Sequence, residues 1–393
     1  MQECDFRNIA ISEAISRANN FFHSQGYSYT IQSFGGNKFP VYAACGQDGV
    51  TSAGKGLGNQ SLASCLFELA EHRALENPFH LKDLSLCEVP EINKATIFLL
   101  DKSIKDFFTL NQGKKFGGVK LESLNGEKAI IPAALATPCY ERLKLPKDNS
   151  QQQGLAKYFS SIGFAAGSDF MEAVLHGMME VIEHDCISDF IVNCILRGGR
   201  EIEVLDKTTC PSSLLEVIYE AEDTLHCDLE LLLWRGTNKS PTVLALPVAP
   251  QPVIGYFGAS FSLCSVHAAQ RAVLELRQDY ILRTQCYLGD KEEHPSSGLT
   301  HPMLKELSRF DFSYITKRNS IKRISISESH FDMAKDKMYH AISACMKNDT
   351  KVFHKPVETG TNEVAVVLSY APGMDSFSVS RSGFLVAPRV SYQ

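Results

Sequence analysis

The sequence has none of the bulk features that direct a chain to a membrane or to a nucleic acid. Its longest apolar runs, such as Leu229–Trp234 and Val364–Leu368, fall far short of the roughly 20 residues that span a bilayer. The formal net charge is -6, so no overall basic character attracts a nucleic acid. The first residues lack the charged and apolar regions of a signal peptide. We therefore expect a cytoplasmic protein whose partners include neither a membrane nor a nucleic acid.

Two common functional motifs are also missing. The 12 cysteines contain no C-x-x-C pair, which argues against a zinc ribbon or a thioredoxin-like redox site. We expect these cysteines to be reduced and mostly buried. The P-loop pattern Gly-x-x-x-x-Gly-Lys-Ser/Thr does not occur. What the chain does have is 393 residues with 44% hydrophobic content, enough for a large core and too much for disorder.

The spacing of apolar residues predicts a mixed α+β fold. Predicted helices cover residues 11–24, 59–75, 170–196, 212–224, 266–284 and 331–347. Predicted strands cover residues 39–44, 95–100, 229–234, 242–248 and 363–370. Stretches rich in Gly, Pro, Ser or Asn predict loops at 112–118, 145–154 and 289–300. Because helices and strands do not alternate regularly, we expect helices layered on a mainly antiparallel sheet.

One helix carries an acidic face. On a helical wheel of about 100° per residue, Glu172, His176, Glu180 and Glu183 share one side, and apolar residues fill the other. No Lys or Arg lies between Glu172 and Glu183, so their mutual repulsion calls for an outside cation. Carboxylates are suitable ligands for Mg²⁺, Ca²⁺ or Mn²⁺. Spacing alone leaves open whether this face binds a metal ion or is an ordinary solvated acidic surface.

An earlier helix repeats the pattern Glu-apolar-apolar-Glu-His, with Glu68, Glu71 and His72, and Ser64 lies on the same side. Small-residue turns precede both helices, at 52–58 and 163–168. Helix N-termini attract anions, and Lys55 in the first turn adds a positive charge that suits a phosphate.

A third helix comes after a glycine-containing turn at 255–259 and presents Arg271, Glu275 and Gln278 on one face. Arg271 and Glu275 are four residues apart, so they could form a plain intrahelical ion pair. Alternatively, Arg271 contacts a phosphate while Glu275 completes a metal shell.

In this order, the three segments resemble the YcaO family. Its nucleotide site combines a Gly-Lys-Gly turn with the motifs S-x-x-x-E-x-x-E, E-x-x-E-R-D and R-x-x-x-E-x-x-Q. Here they read as Gly54–Gly56 with Ser64, Glu68 and Glu71; as Glu180, Glu183, His184 and Asp185; and as Arg271, Glu275 and Gln278. The resemblance covers about residues 38 to 390.

The resemblance implies ATP and Mg²⁺ as cofactors and assigns roles to residues. The Mg²⁺ ligands would be Glu68, Glu71, Glu180, Glu183 and Glu275. The groups near the nucleotide would be Lys55, Ser64, Ser168, Glu172, Arg271 and Gln278, with Glu172 a candidate for the ribose hydroxyls. Arg271 and His184 would serve catalysis. The implied fold is α+β, often dimeric, with the ATP site between sheet and helices.

Two features depart from the family pattern. His184 stands where the family usually has Arg, and an imidazole lacks the two-pronged donor of a guanidinium. Azoline-forming members often end in a Pro-x-Pro-x-Pro tail, whereas residues 386–393 contain the single proline Pro388.

The implied activity is ATP-dependent activation of peptide backbone amides, in the synthesis of a ribosomally made and post-translationally modified peptide. We expect cyclodehydration of Cys, Ser or Thr to thiazoline or oxazoline; formation of a thioamide is the alternative. The domains expected are residues 1–50, an N-terminal helix and strand of the same unit, and residues 51–393, the catalytic domain. The partners expected are a precursor peptide and a separate leader-binding protein, ubiquitin-activating-like or TfuA-like, with a homodimer as the implied assembly.

Interpretations from other classes remain. A non-catalytic YcaO-like scaffold could use the acidic face to bind a partner. A carboxylate di-iron bundle would need Glu-x-x-His on one helix face, but each His here comes directly after its Glu, about 100° away.

Overall fold

The computed structural model describes residues 9–76, 84–88, 102–138, 140, 152–156, 158–236, 238, 241–248, 257–286, 312–326, 333–346, 350–358, 364–375, 380–381 and 384–385. Its helices are α1 (Ile11–Ser24), α2 (Asn59–Glu76), α3 (Lys102–Leu110), α4 (Ala133–Ala136), α5 (Gln153–Ala156), α6 (Phe170–Phe190), α7 (Ser212–Leu225), α8 (Ser265–Ile281), α9 (Phe312–Arg318) and α10 (Lys335–Cys345). π-helical turns at Ile191–Arg197 and Leu282–Cys286 extend α6 and α8.

The strands form three main sheets. The first is antiparallel, in the order β1 (Tyr29–Phe34), β2 (Val41–Gly46) and β3 (Thr51–Gly54). The second has the order β11 (Gly258–Phe261), β10 (Thr242–Pro247), β9 (Leu229–Trp234), β8 (Glu201–Leu205) and β12 (Ser320–Ile324). The third has the order β4 (Leu84–Glu88), β5 (Lys115–Glu122), β13 (Phe353–Glu358), β14 (Ala365–Tyr370) and β7 (Phe164–Gly167), with β6 (Lys128–Pro132) paired to β5. A short hairpin joins β15 (Ser380–Arg381) to β16 (Phe384–Leu385).

Among the described strands only β8 and β12 pair in parallel. The predicted α+β class with mainly antiparallel sheet is therefore confirmed. The helices lie on these sheets: α2 packs on β3 and β7, α6 on β14, β7 and β11, and α8 on β11 and β10. The helices α2 and α6 thus each contact two sheets and join them into one core.

A helix is observed at each of the six predicted positions, with shifts at the ends. The predictions succeed because apolar residues at three- and four-residue spacing are what a helix buries on one face. In α7 the buried residues Leu214, Val217, Ile218, Ala221 and Leu225 recur at three and four positions, as one face of a helix requires. The helix ends where His226 takes a left-handed conformation with φ 54°. In the described ranges no helix is long and apolar enough to cross a bilayer.

Four of the five predicted strands are observed with small shifts; the one at 95–100 lies outside the described residues, as does the loop at 289–300. The loop predicted at 112–118 is wrong from Lys115 onward, where β5 begins. Position 118 of this strand is a glycine because a side chain would not fit. A Cβ there would lie 2.5 Å from the Ile130 side chain of β6. In the loop predicted at 145–154, residues 153 and 154 begin the helical turn α5, and only Gln152 of the rest is described.

The N-terminal segment packs against β3 and α2, the elements next to it along the chain. β2 pairs with β3, and α1 packs on α2 through Phe21, Phe22 and Leu66. The predicted boundary between residues 1–50 and 51–393 remains a prediction. Of the nine cysteines whose surroundings are described, eight are buried and all nine are free thiols, as expected; Cys45 is exposed.

Candidate functional site

Three strand–helix units converge on the acidic residues: β3 with α2, β7 with α6, and β11 with α8. Each strand carries a glycine against the backbone of its own helix. A Cβ at Gly54, Gly167 or Gly258 would lie between 1.9 and 2.5 Å from a backbone atom of that helix. The sequence predicted that these glycines lie in turns; the structure corrects this, because each belongs to a strand. Without side chains in between, the helices lie directly on the strands.

This packing brings together all five predicted Mg²⁺ ligands. Burial is the main cause that raises the pKa of Glu68, Glu71, Glu180 and Glu183, and neighbouring carboxylates raise it further. The charge of Glu275 on α8 acts on Glu68 of α2 and on both glutamates of α6. The pKa of Glu180 reaches about 8. Such mutual repulsion shows that one site contains carboxylates from three helices.

Backbone amides fix the orientation of these side chains. The N–H of Gly163 donates to Glu180 Oε2 at 3.0 Å, and the N–H of Phe261 donates to Glu183 Oε2 at 3.1 Å. Hydrogen bonds from the backbone of Ala53 and Ala166 likewise lower the pKa of Glu68 and Glu71, against the effect of burial. The strands therefore hold the carboxylates as well as supporting the helices.

The five carboxylates lie at partly exposed positions where three helices meet. The side chains of Glu68 and Glu275 are 36% and 37% exposed, so a ligand can reach them from solvent. Fully solvated glutamates would keep pKa values near that of free glutamate, so the raised values favour the metal-binding interpretation, which stays a prediction.

The donor set suits Mg²⁺ held together with a phosphate. Within the described residues, no three carboxylate, imidazole or thiol groups are close enough to hold one metal ion by themselves. Mg²⁺ is usually bound by one or two carboxylates, with water and substrate phosphates completing its shell. Five hard oxygen ligands spread over three helices fit that requirement, whereas an all-protein metal cage does not form among the described residues.

Two cationic side chains flank the carboxylates in different states. Lys55 Nζ forms an ion pair with Glu275 Oε2 and is 18% exposed. Arg271 is half-buried and forms no hydrogen bond or ion pair with any described residue, so the plain Arg271–Glu275 pair is not observed. Its charge, after burial, lowers the pKa of His267 to about 3. Gln278 is half-buried on the turn of α8 after Glu275.

The remaining nucleotide-binding candidates lie farther from the five glutamates. Ser168 and Glu172 are both buried at the start of α6, where the Ser168 hydroxyl donates to the Glu172 carboxylate. Glu172 precedes Glu180 by eight residues, or about 12 Å along the helix. Ser64 is half-buried one turn before Glu68.

The start of α6 is not open to an outside anion, contrary to expectation. The side chain of Asp169 caps the helix by accepting the N–H of Glu172 at 2.8 Å, and Lys335 pairs with Asp169 at 2.6 Å. The protein's own carboxylate therefore satisfies the helix end that the sequence analysis assigned to a phosphate.

The two histidines next to the paired glutamates differ in what the structure shows. His184 is half-buried beside Glu183, and its catalytic role stays a prediction. His72 Nδ1 lies 2.6 Å from the carbonyl oxygen of Thr51, which can only accept, so this nitrogen carries the proton. His72 Nε2 then faces Glu68 Oε1 at 3.7 Å. These contacts of His72 were not predicted, although its four-residue spacing from Glu68 was the available signal in the sequence.

Solved structures share this fold. A YcaO protein from Methanopyrus kandleri, bound with AMPPCP and Mg²⁺, matches with TM-score 0.67 and 18% identity over 96% of this chain and 94% of that chain. A heterocyclase in complex with substrate and cofactor matches with TM-score 0.65 and 16% identity over 94% of this chain and 52% of that one. A chain of the E. coli microcin synthetase McbBCD complex matches with TM-score 0.61 and 14% identity over 88% of each chain.

The sequence itself also gives a family match. No curated protein matches the chain. The sequence profile described as YcaO cyclodehydratase, ATP- and Mg²⁺-binding, matches residues 53–375, which is most of the chain and includes all five glutamates. The chain therefore belongs to the YcaO family, and the predicted fold class and the predicted cofactors, ATP and Mg²⁺, are those of its family.

Proposed function

We propose that this chain phosphorylates backbone amides of a precursor peptide with ATP and Mg²⁺, and thereby converts Cys, Ser or Thr residues into thiazolines or oxazolines. One observation carries the proposal: five glutamates from three helices come together beside Lys55 and Arg271. That many partly uncompensated carboxylates beside cationic side chains suits a metal–polyphosphate ligand.

The proposal gives each group a task. The groups that hold Mg²⁺ are Glu68, Glu71, Glu180, Glu183 and Glu275. The groups that bind the nucleotide are Lys55, Ser64, Ser168, Glu172, Arg271 and Gln278. Arg271 meets the transferred phosphoryl group because it has no competing partner among the described residues. His184 completes the catalytic set. Bound Mg²⁺ supplies charge neutralisation on the phosphates.

An amide carbonyl is a poor electrophile and its oxygen is a poor leaving group, and these properties determine the chemistry. The side-chain thiol or hydroxyl of the peptide loses its proton as it attacks the preceding carbonyl carbon, and the resulting oxygen attacks the γ-phosphate of ATP, which releases ADP. Loss of phosphate and of the amide proton then leaves the C=N bond of the ring. The peptide has lost one water in total, and ATP has become ADP and phosphate. The protein's tasks are positioning and charge stabilisation.

We further propose that a separate protein delivers the peptide. Among the neighbours of the same fold, one was solved with a substrate and another within a multi-protein synthetase complex. A ubiquitin-activating-like partner would fit azoline formation, and a TfuA-like partner would fit the alternative product, a thioamide.

The proposal is tested by titrating ATP with Mg²⁺ into the protein in a calorimeter, beside the variant Glu180→Gln/Glu183→Gln. We expect Mg²⁺-dependent binding that the variant loses by at least about 100-fold, because two metal ligands are removed. The matched control is Glu216→Gln, which changes an exposed glutamate paired with Lys38 and should leave binding unchanged.

Mass spectrometry of candidate peptides then identifies the product. Loss of one water indicates an azoline, and exchange of oxygen for sulfur indicates a thioamide. If the folded wild-type protein binds no ATP, with or without a partner protein, the enzyme proposal is wrong and a scaffold role takes its place.

A further inference from the structure

Lys55 already acts as a cation within the glutamate cluster. Its ammonium group is paired with Glu275 and lowers the pKa of Glu68, Glu180 and Glu183. The same side chain thus compensates carboxylates on all three helices. The pair of Lys38 and Glu216 differs from that of Lys55, because both of its side chains are well exposed, at 58% and 41%.

The backbone holds Lys55 in this place. Gly54 before it is packed against α2, where a Cβ would lie 2.0 Å from the Ser61 carbonyl oxygen. Gly56 after it has φ 151°, a conformation that favours glycine. The turn that carries Lys55 therefore has little freedom, and the four-carbon side chain alone can change its partner.

Arg271 differs from Lys55 in its contacts. It lies one turn before Glu275 on α8, and within the described residues no hydrogen bond or ion pair holds its guanidinium. A phosphate can therefore meet Arg271 without breaking a contact, whereas a metal ion that reaches Glu275 must replace Lys55.

We propose that Lys55 is a built-in counter-ion of the glutamate cluster, which a divalent metal ion displaces from Glu275 and which a nucleotide phosphate then accepts. This inference rests on the proposed ATP- and Mg²⁺-dependent function. Lys55 opposes metal binding when no nucleotide is present, because the metal competes with its charge. It favours nucleotide binding once the metal is in place. Metal and nucleotide thus bind cooperatively, and the coupling passes through one side chain.

The two effects of Lys55 have opposite signs, which separates this role from that of a simple phosphate ligand. The probe is Mn²⁺ alone, with free Mn²⁺ measured by electron paramagnetic resonance and no nucleotide present. We expect Lys55→Met to bind Mn²⁺ about tenfold more tightly than wild type, because a competing charge is gone. Lys55→Arg, which keeps the charge, should bind Mn²⁺ no more tightly than wild type. The control Lys38→Met removes an exposed lysine and should change nothing.

A second measurement covers the case in which Lys55→Met is folded but less stable than wild type without metal. The thermal midpoint of this variant should then fall in the absence of metal and recover with Mn²⁺ to that of wild type. The inference is overturned if folded Lys55→Met binds Mn²⁺ as weakly as wild type, if its midpoint does not respond to Mn²⁺ more than that of wild type, or if Lys55→Arg binds Mn²⁺ more tightly.

Titration of ATP at saturating Mn²⁺ distinguishes the two proposals. We expect Lys55→Met to bind ATP more weakly than wild type under these conditions. If wild type binds no ATP although Lys55→Met still binds Mn²⁺ more tightly, the proposed function fails and the counter-ion remains. If wild type binds ATP and the variants show no change in Mn²⁺ affinity, the counter-ion fails and the proposed function remains.

Discussion

Helix α6 carries two pairs of acids that the protein treats in opposite ways. Toward its C-terminal end, Asp185 and Asp189 are 0% and 2% exposed, and the structure gives each of them two donors. Asp185 accepts from the side chain of Asn238 at 3.0 Å and from the backbone N–H of Asp375 at 2.7 Å. Asp189 accepts from the indole N–H of Trp234 at 2.8 Å and from Asn193 at 2.9 Å. These aspartates tie the helix to β9 and to the segment after β14.

Five and two residues before Asp185, Glu180 and Glu183 each receive one backbone N–H and face other carboxylates. Their raised pKa values show that compensation is incomplete. The comparison teaches that burial alone does not mark a functional acid, because a buried carboxylate with enough donors is structural. A cluster of carboxylates with too few donors is the part that needs a ligand.

The largest effect that the comparison predicts is at Asp189. Asp189→Ala removes the acceptor of two buried donors, so we expect the free energy of unfolding to fall by about 3 kcal/mol. Urea denaturation measures this loss, and Asp189→Asn, which keeps one carbonyl acceptor, should lose less. An Asp189→Ala variant as stable as wild type would remove the distinction between structural and site acids.

At Glu180 we expect a substitution to raise the free energy of unfolding rather than lower it. Its pKa rises from 4.5 to about 8 on folding, so its favourable contribution is complete below pH 4.5 and is lost as the pH rises through about 8. Glu180→Gln carries no charge, and without metal it should be more stable than wild type by about 2 kcal/mol at pH 8, after discounting for partial exposure.

Urea denaturation in a chelator at pH 5 and pH 8 tests this expectation. The advantage of the variant should be small at pH 5, and added Mg²⁺ should stabilise wild type more than Glu180→Gln. An advantage that grows as the pH falls would contradict the assigned cause.

The smallest effect is expected for an acid in an exposed ion pair. Glu127 pairs with Lys351 at 2.7 Å, and the two side chains are 48% and 57% exposed. Glu127→Gln should change the free energy of unfolding by about 0.5 kcal/mol or less, and less still in high salt. A loss as large as that of Asp189→Ala would show that exposure does not separate these classes.

The sequence predicts the helices of this protein well and its site strands poorly. The glutamates were identified because they lie on long helices, where a spacing of three and four residues places them on one face. The strands β7 and β11 contain small residues such as Gly167 and Gly258, and sequence patterns assign these to turns. Glycine occupies these strand positions because a helix approaches the strand closely. This tertiary contact leaves no local signal in the sequence beyond the glycine itself.

Other features of the site depend on contacts between distant segments. The pairing of Lys55 with Glu275 and the hydrogen bond from His72 to Thr51 result from how the strands stack against the helices. The Asp169 cap at α6 was predictable in principle, since Asp three residues before Glu172 is a common N-cap pattern. The family resemblance named the five candidate Mg²⁺ ligands, and the packing of three helices on their strands brings these glutamates together.

The wide spacing of the site along the chain has a consequence for how the protein folds. Lys55 and Glu275, which touch in the site, are separated by 220 residues. Contacts of such high sequence separation form only after the intervening segments have collapsed into place, since closing a long loop costs entropy early. The carboxylate repulsion therefore arises late, when most of the apolar burial that offsets it already exists. The complete glutamate cluster therefore exists only once all three helices, α2, α6 and α8, have packed on their strands.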